Sequence, residues 1–196
     1  MEDNARPVEE KPKSRGKGRF LIFLPPAVFG LLFGLFLFGM YRENQDVLPS
    51  TMIGRDAPAM TLTQLADLPL TTAADLSAPG LKLVNFWASW CAPCRVEHPF
   101  LMELAREGLP IHGINYKDRP DQALGFMGEL GNPYATIGAD SQGRTALEWG
   151  VYGVPETYLI DGEGRILLRH AGPITRQEYE RVLRPAIDKA RAATGS

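Results

Sequence analysis

An α/β fold, a sheet flanked by helices, is predicted from three features of this sequence. Short runs of β-branched and aromatic residues bounded by turn residues alternate with stretches of helical spacing, which favours an α/β sandwich over a barrel. Twenty glycines and sixteen prolines favour many turns and short elements over a long-helix bundle. At 196 residues, 44% apolar and 22% charged, the chain has room for one core with appendages and is neither a disordered nor a coiled-coil sequence.

The first element is a membrane segment. Phe20 to Met40 carries no charge, and at about 1.5 Å per residue a helix of that length spans roughly 30 Å, the depth of the hydrocarbon layer. Pro25 and Pro26 stand near its start, where the missing amide hydrogens cost little. Lys11, Lys13, Arg15, Lys17 and Arg19 precede it, whereas Arg42 alone follows closely, so the positive-inside rule places the N-terminus in the cytoplasm. A cleaved signal peptide competes with this reading, but its apolar region is shorter and ends in small residues, whereas this run ends Gly39-Met40-Tyr41-Arg42. The expected organisation is a basic tail over 1–19, an anchor over 20–40, a tether over 41–54 and an exported domain over 55–192.

Within that domain strands are expected at Ala59–Leu62, Leu81–Trp87, Ile111–Tyr116, Thr157–Ile160 and Ile166–His170, and helices at Cys94–Glu107, Gln122–Leu130 and Glu178–Ala193. Asp161-Gly162-Glu163-Gly164 reads as a hairpin turn, and Thr175 with Glu178 as a capping box. An extra N-terminal β-hairpin is expected from Ala59 to Leu76. The domain is mildly acidic: from Tyr41 onward fifteen Lys/Arg face nineteen Asp/Glu. Without a clustered basic surface, nucleic acid is not an expected partner.

The chemistry lies in the two cysteines, Cys91 and Cys94, which follow the apolar strand where a helix begins. A cysteine at a helix N-terminus meets unpaired amides and the positive end of the dipole, which favours thiolate. Cys91 is then the nucleophile, and Cys94, in the first turn, can attack a mixed disulfide formed at Cys91. Pro93 fits that first turn. Three other readings stand beside this one. A structural disulfide would close a tiny loop and stabilise little. A metal half-site lacks partners, since His98, His112 and His170 are scattered without ligand spacing. Two unrelated buried thiols fit the strand-to-helix junction least well.

The stretch Val84-Asn85-Phe86-Trp87-Ala88-Ser89-Trp90-Cys91-Ala92-Pro93-Cys94 resembles the active-site strand and helix start of the thioredoxin superfamily. Pro99 matches that superfamily's helix-bending proline, and Gly153-Val154-Pro155 its cis-proline loop. Cys94 to Pro99, Gly113 to Asp118, Gly131 to Tyr134 and Gly150 to Thr157 resemble, in order and spacing, the CcmG/DsbE family of membrane-anchored thioredoxin-like reductants of cytochrome c maturation. The resemblance implies a thioredoxin-like fold with a central mixed sheet. It also implies a redox-active Cys91–Cys94 disulfide with no other cofactor, and a substrate-binding role for Trp90, Ala92, Pro93, Val154 and Pro155.

Implied partners are apocytochrome c or a thiol protein of the haem-attachment machinery, a DsbD- or CcdA-like membrane electron donor, and the lipid bilayer. The implied location is the bacterial inner membrane, with the catalytic domain periplasmic. A reductant for copper-site assembly and a general periplasmic oxidant are the other functions such a chain could serve. Thioredoxin's buried aspartate is replaced by Asn85, which accepts no proton, so Glu97 and Glu156 are the expected acidic site residues, both placed near the disulfide. Glu97 reads equally as a solvated helix residue, whereas a charge at Glu156 is costly unless exposed or used. Trp87 reads as core, and Trp149 and Tyr152 either as groove lining or as packing.

Overall fold

The computed structural model describes residues 18–40 and 52–194, so most of the expected basic tail and most of the expected tether lie outside the described residues. The chain divides into two compact units, 1–45 and 46–196. The first holds helix α1 (Gly18–Met40), with Pro25 and Pro26 inside it. Among the described residues no helix is long and apolar enough to cross a membrane.

The second unit is built on five strands, β1 (Lys82–Trp87), β2 (Ile111–Tyr116), β3 (Thr136–Asp140), β4 (Glu156–Ile160) and β5 (Ile166–Ala171). Their order is β3-β2-β1-β4-β5, with β2 parallel to β1 and β3, and β4 antiparallel to β1 and β5. The sheet is therefore mixed. The central strand β1 is buried at every position because both faces of the sheet are covered, which explains its near-continuous apolar sequence. Leu83 and Trp87 join the core beneath α3 (Ala92–Arg106), α4 (Pro120–Leu130) and the C-terminal helix, whereas Val84 and Phe86 join a second core with Ile114, Trp149 and Tyr158. Alternation along one strand thus assigns each side chain to a face.

The hairpin turn between β4 and β5 forms as expected. The Asp161 carboxylate accepts the amides of Glu163 and Arg165, both at 2.9 Å. Lys82 is buried on the same edge of the domain and donates through Nζ to the carbonyls of Leu76, Ala78, Gly80 and Asp161 at 2.7–3.0 Å.

The N-terminal hairpin does not form. Residues 59–76 contain the short helix α2 (Ala73–Leu76) and no paired strands; Thr63 instead makes a single bridge to Ala139 of β3, and Pro69 accepts the Ile137 amide. The open edge of β3 supplies the backbone partners that an internal hairpin would have supplied. The C-terminal helix is also modified. It runs as α6 (Arg176–Glu178), a π-helical turn (Tyr179–Leu183) and α7 (Arg184–Thr194), with the Arg184 amide reaching back five residues to the Tyr179 carbonyl. Pro185 follows immediately, and a widened turn accommodates a residue that donates no amide hydrogen.

Candidate active site

Cys91 is the N-cap of α3, and its sulfur accepts the Cys94 amide at 3.1 Å. A cap sulfur in that place meets the first-turn amides directly, the electrostatic setting that favours thiolate once the bond is reduced. The two cysteines form a disulfide. Both are buried, while Ala92, Pro93 and the neighbouring Trp90 are exposed, so the C-x-x-C turn and its tryptophan form the accessible lip. Trp90 is fixed by its indole N–H, which donates to the Lys117 carbonyl at 3.2 Å. Across the site the Val154–Pro155 peptide bond is cis, Pro155 is buried, and Val154 packs against the cluster that contains both cysteines.

Glu97 stands one turn beyond Cys94 on the buried face of α3 and is 1% exposed. Its carboxylate accepts the Asn85 side-chain amide at 2.9 Å and the Ile174 backbone amide at 2.9 Å. Burial raises its pKa from 4.5 to about 7, against the opposing effect of these two bonds. Asn85 also donates to Thr157 Oγ1 at 3.0 Å and accepts the Tyr134 hydroxyl at 2.9 Å. The Tyr134 ring lies on β2 where residue 113 is glycine: a Cβ there would stand 2.8 Å from ring carbons.

Glu156 opens β4 and is equally buried. It pairs with Arg169 Nε at 2.8 Å and accepts the Tyr152 amide at 2.7 Å. The Arg169 guanidinium lies over the Tyr152 ring, 4.5 Å from its centroid.

A family model for Redoxin matches residues 52–183. A thiol:disulfide interchange protein DsbE homolog of Paracoccus denitrificans is 48% identical over 173 residues, covering 88% of this chain and 96% of that one. The thiol:disulfide interchange protein HelX of Rhodobacter capsulatus is 49% identical over 168 residues, covering 85% and 95%. The chain belongs to the CcmG/DsbE family of thiol:disulfide interchange proteins. A crystal structure described as a putative thiol:disulfide interchange protein DsbE from Chlorobium tepidum superposes with a TM-score of 0.59 at 27% identity, over 72% of this chain and 99% of that one. As a CcmG/DsbE protein it is a thiol–disulfide oxidoreductase with a thioredoxin-like α/β fold, and the Cys91–Cys94 pair is its redox couple.

In this CcmG/DsbE chain the two glutamates do not form a pair. Asn85 and its cross-strand partner Thr157 face α3, so Phe86 and its partner Glu156 face the opposite side of the sheet. The expectation places both carboxylates near the disulfide; Glu97 lies on the cysteine side of the sheet, while Glu156 lies on the other side and clamps the loop leading to the cis-proline from behind. The reason is the strand period of two, which separates residues 156 and 157 onto different faces.

Asp118 was not foreseen as a site residue. Its carboxylate accepts the Ser89 amide at 2.6 Å, the Ser89 hydroxyl at 2.7 Å, the Asn115 side-chain amide at 2.9 Å and the Arg119 amide at 2.8 Å. These bonds tie the turn before Cys91 to the loop after β2. Between lysine and arginine in the sequence it reads as a solvated charge, and only the Gly113–Asp118 motif marked it.

Proposed function

We propose that this chain is a membrane-anchored periplasmic reductant that delivers electrons to the disulfide of apocytochrome c, or of a haem-attachment thiol protein, during cytochrome c biogenesis. The observation that carries the reading is a C-x-x-C couple at the start of α3, backed by a buried carboxylate one turn on and bordered by a cis-proline loop.

In the reduced protein the Cys91 thiolate attacks one sulfur of the partner disulfide; that bond breaks, and one partner thiol is released on taking up a proton. Cys94 then loses its proton and attacks Cys91, which releases the second partner thiol and forms the Cys91–Cys94 disulfide. Two electrons pass to the partner. Glu97, raised toward neutral pH and without a proton-accepting aspartate beside it, receives the Cys94 proton in this scheme. The exposed Trp90, Ala92 and Pro93, with Val154 and Pro155, hold the extended partner segment. Glu156 serves indirectly, by fixing the Tyr152–Gly153 backbone that leads to that loop.

Phe20–Met40 anchors the domain in the inner membrane with the N-terminus cytoplasmic, and a DsbD- or CcdA-like membrane protein re-reduces the couple. The reduced direction fits haem attachment, since haem vinyl groups react with thiols and not with a disulfide. The test is capture in cells with the Cys94→Ser variant, which stalls at the mixed disulfide on Cys91. The expected captive is a C-x-x-C-H protein or a haem-attachment thiol protein. A captive population of unrelated exported proteins would overturn the assignment.

A further inference from the structure

We propose that Tyr134 is a positioning residue for Glu97: its hydroxyl fixes the orientation of the Asn85 amide, and proton uptake by Glu97 turns that amide over. This inference rests on the reading of Glu97 as the group that handles the Cys94 proton.

The bond pattern is directional. An ionised carboxylate only accepts, so the atom of Asn85 that faces Glu97 must be its nitrogen. With Nδ2 committed to Glu97 and to Thr157 Oγ1, the amide oxygen points at Tyr134, which donates to it at 2.9 Å. Tyr134 is buried, and burial holds its hydroxyl well above the ordinary range, so it remains a donor throughout the working pH range. Its ring is held by stacking on Trp87, 5.5 Å between centroids, and occupies the space left free by Gly113. The hydroxyl is therefore presented by a rigid mount.

A protonated Glu97 changes the requirement. Both its oxygens face N–H donors, Asn85 Nδ2 and Ile174 N, and a carboxylic O–H on either side meets another hydrogen. Turning over the amide removes the conflict: Asn85 Oδ1 accepts from Glu97 and from the Thr157 hydroxyl, and Nδ2 donates to the Tyr134 oxygen. Tyr134 then loses its own acceptor. The tyrosine thus opposes turnover and keeps Glu97 more acidic than burial alone would leave it. In the oxidised protein, where Cys91 and Cys94 are joined and carry no titrating proton, the other titratable groups around this seat are His98 of α3, whose ring stands edge-on to Tyr134 at 6.4 Å, and His170 of β5, directly opposite Thr157.

The test follows the Glu97 carboxyl carbon by NMR against pH in the full-length oxidised protein, alongside the pH profile of disulfide reduction. Tyr134→Phe keeps the ring and removes the donor. The midpoint of Glu97 is expected to rise by roughly 0.5–1 pH unit, the size of one neutral hydrogen bond. Site-specific 3-fluorotyrosine at position 134, a stronger donor that adds only one fluorine to the ring, is expected to lower it, which keeps the test decisive if the phenylalanine variant folds poorly. An unmoved midpoint with either replacement overturns the proposal. A midpoint that moves while the reduction profile stays fixed supports the positioning of Glu97 and overturns its role as proton acceptor. In a Glu97→Gln background, Tyr134→Phe is expected to leave the reduction profile where it was; a shift there would show that the tyrosine acts by another route.

Discussion

The buried Glu97 makes the stability of the oxidised protein depend on pH in a calculable way. Its pKa is 4.5 in an unfolded chain and about 7 in the fold, so folding favours its neutral form. The contribution is fully present below about pH 4.5, is lost as pH rises toward 7, and changes no further above that. The gap between the two values, at about 1.4 kcal/mol per pH unit, is worth about 3 kcal/mol. Three histidines oppose this slope: His98, His112 and His170 are all lowered, mainly by burial, and their contributions disappear as pH falls below 6.5. The perturbation that isolates Glu97 is Glu97→Gln, which keeps the shape of the side chain and is uncharged at every pH. Urea unfolding of the oxidised wild type and variant between pH 4.5 and 8 is the assay. The variant is expected to gain about 3 kcal/mol relative to wild type from the acid to the alkaline end. Parallel stability curves across that window would refute the reasoning.

Three further outcomes are expected. Glu156→Gln leaves the buried Arg169 charge uncompensated and should destabilise the fold by about 3–5 kcal/mol, measured by urea unfolding, far more than loss of an exposed pair such as Arg119–Asp121. Gly113→Ala forces a methyl against the Tyr134 ring and should cost about 1–3 kcal/mol by the same measurement, with Tyr134→Ala in the same chain relieving the clash. In the reduced protein, iodoacetamide near neutral pH should alkylate Cys91 well before Cys94, read by mass spectrometry, because Cys91 caps the helix while Cys94 lies within its first turn; equal rates would remove the assignment of nucleophile and resolving thiol.

The parts of this fold legible in the sequence are those in which local pattern and tertiary demand agree. Leu81–Trp87 is apolar except at Lys82 and Asn85 because both faces of its strand are covered, and the Cys91 cap with Pro93 marks the start of α3. Thr136–Asp140 escaped notice, because Thr-Ile-Gly-Ala-Asp has little apolar mass and is held as a strand by β2 rather than by its own propensity. The five-residue helix α5 (Arg144–Glu148) is too short to show a period. The region before β1 differs from the expected hairpin for a related reason: its hydrogen-bond partners lie some 70 residues away in sequence, on the edge of β3, where no local pattern reveals them. In the site, the cysteines and the cis-proline loop were legible from motifs. Glu97 and Glu156 were found as residues, yet which side of the sheet each occupies depends on strand register, which spacing alone does not give.

Lys82 carries a consequence of its own. Four carbonyl oxygens converging on one positive charge form the kind of cage that proteins use to hold a potassium or ammonium ion. Here the cation is covalently part of the chain, present at unit stoichiometry and beyond the reach of dilution, dialysis or chelation. The corner where the 76–82 segment meets the β4–β5 turn is therefore tied by a cation that needs no ion from solution.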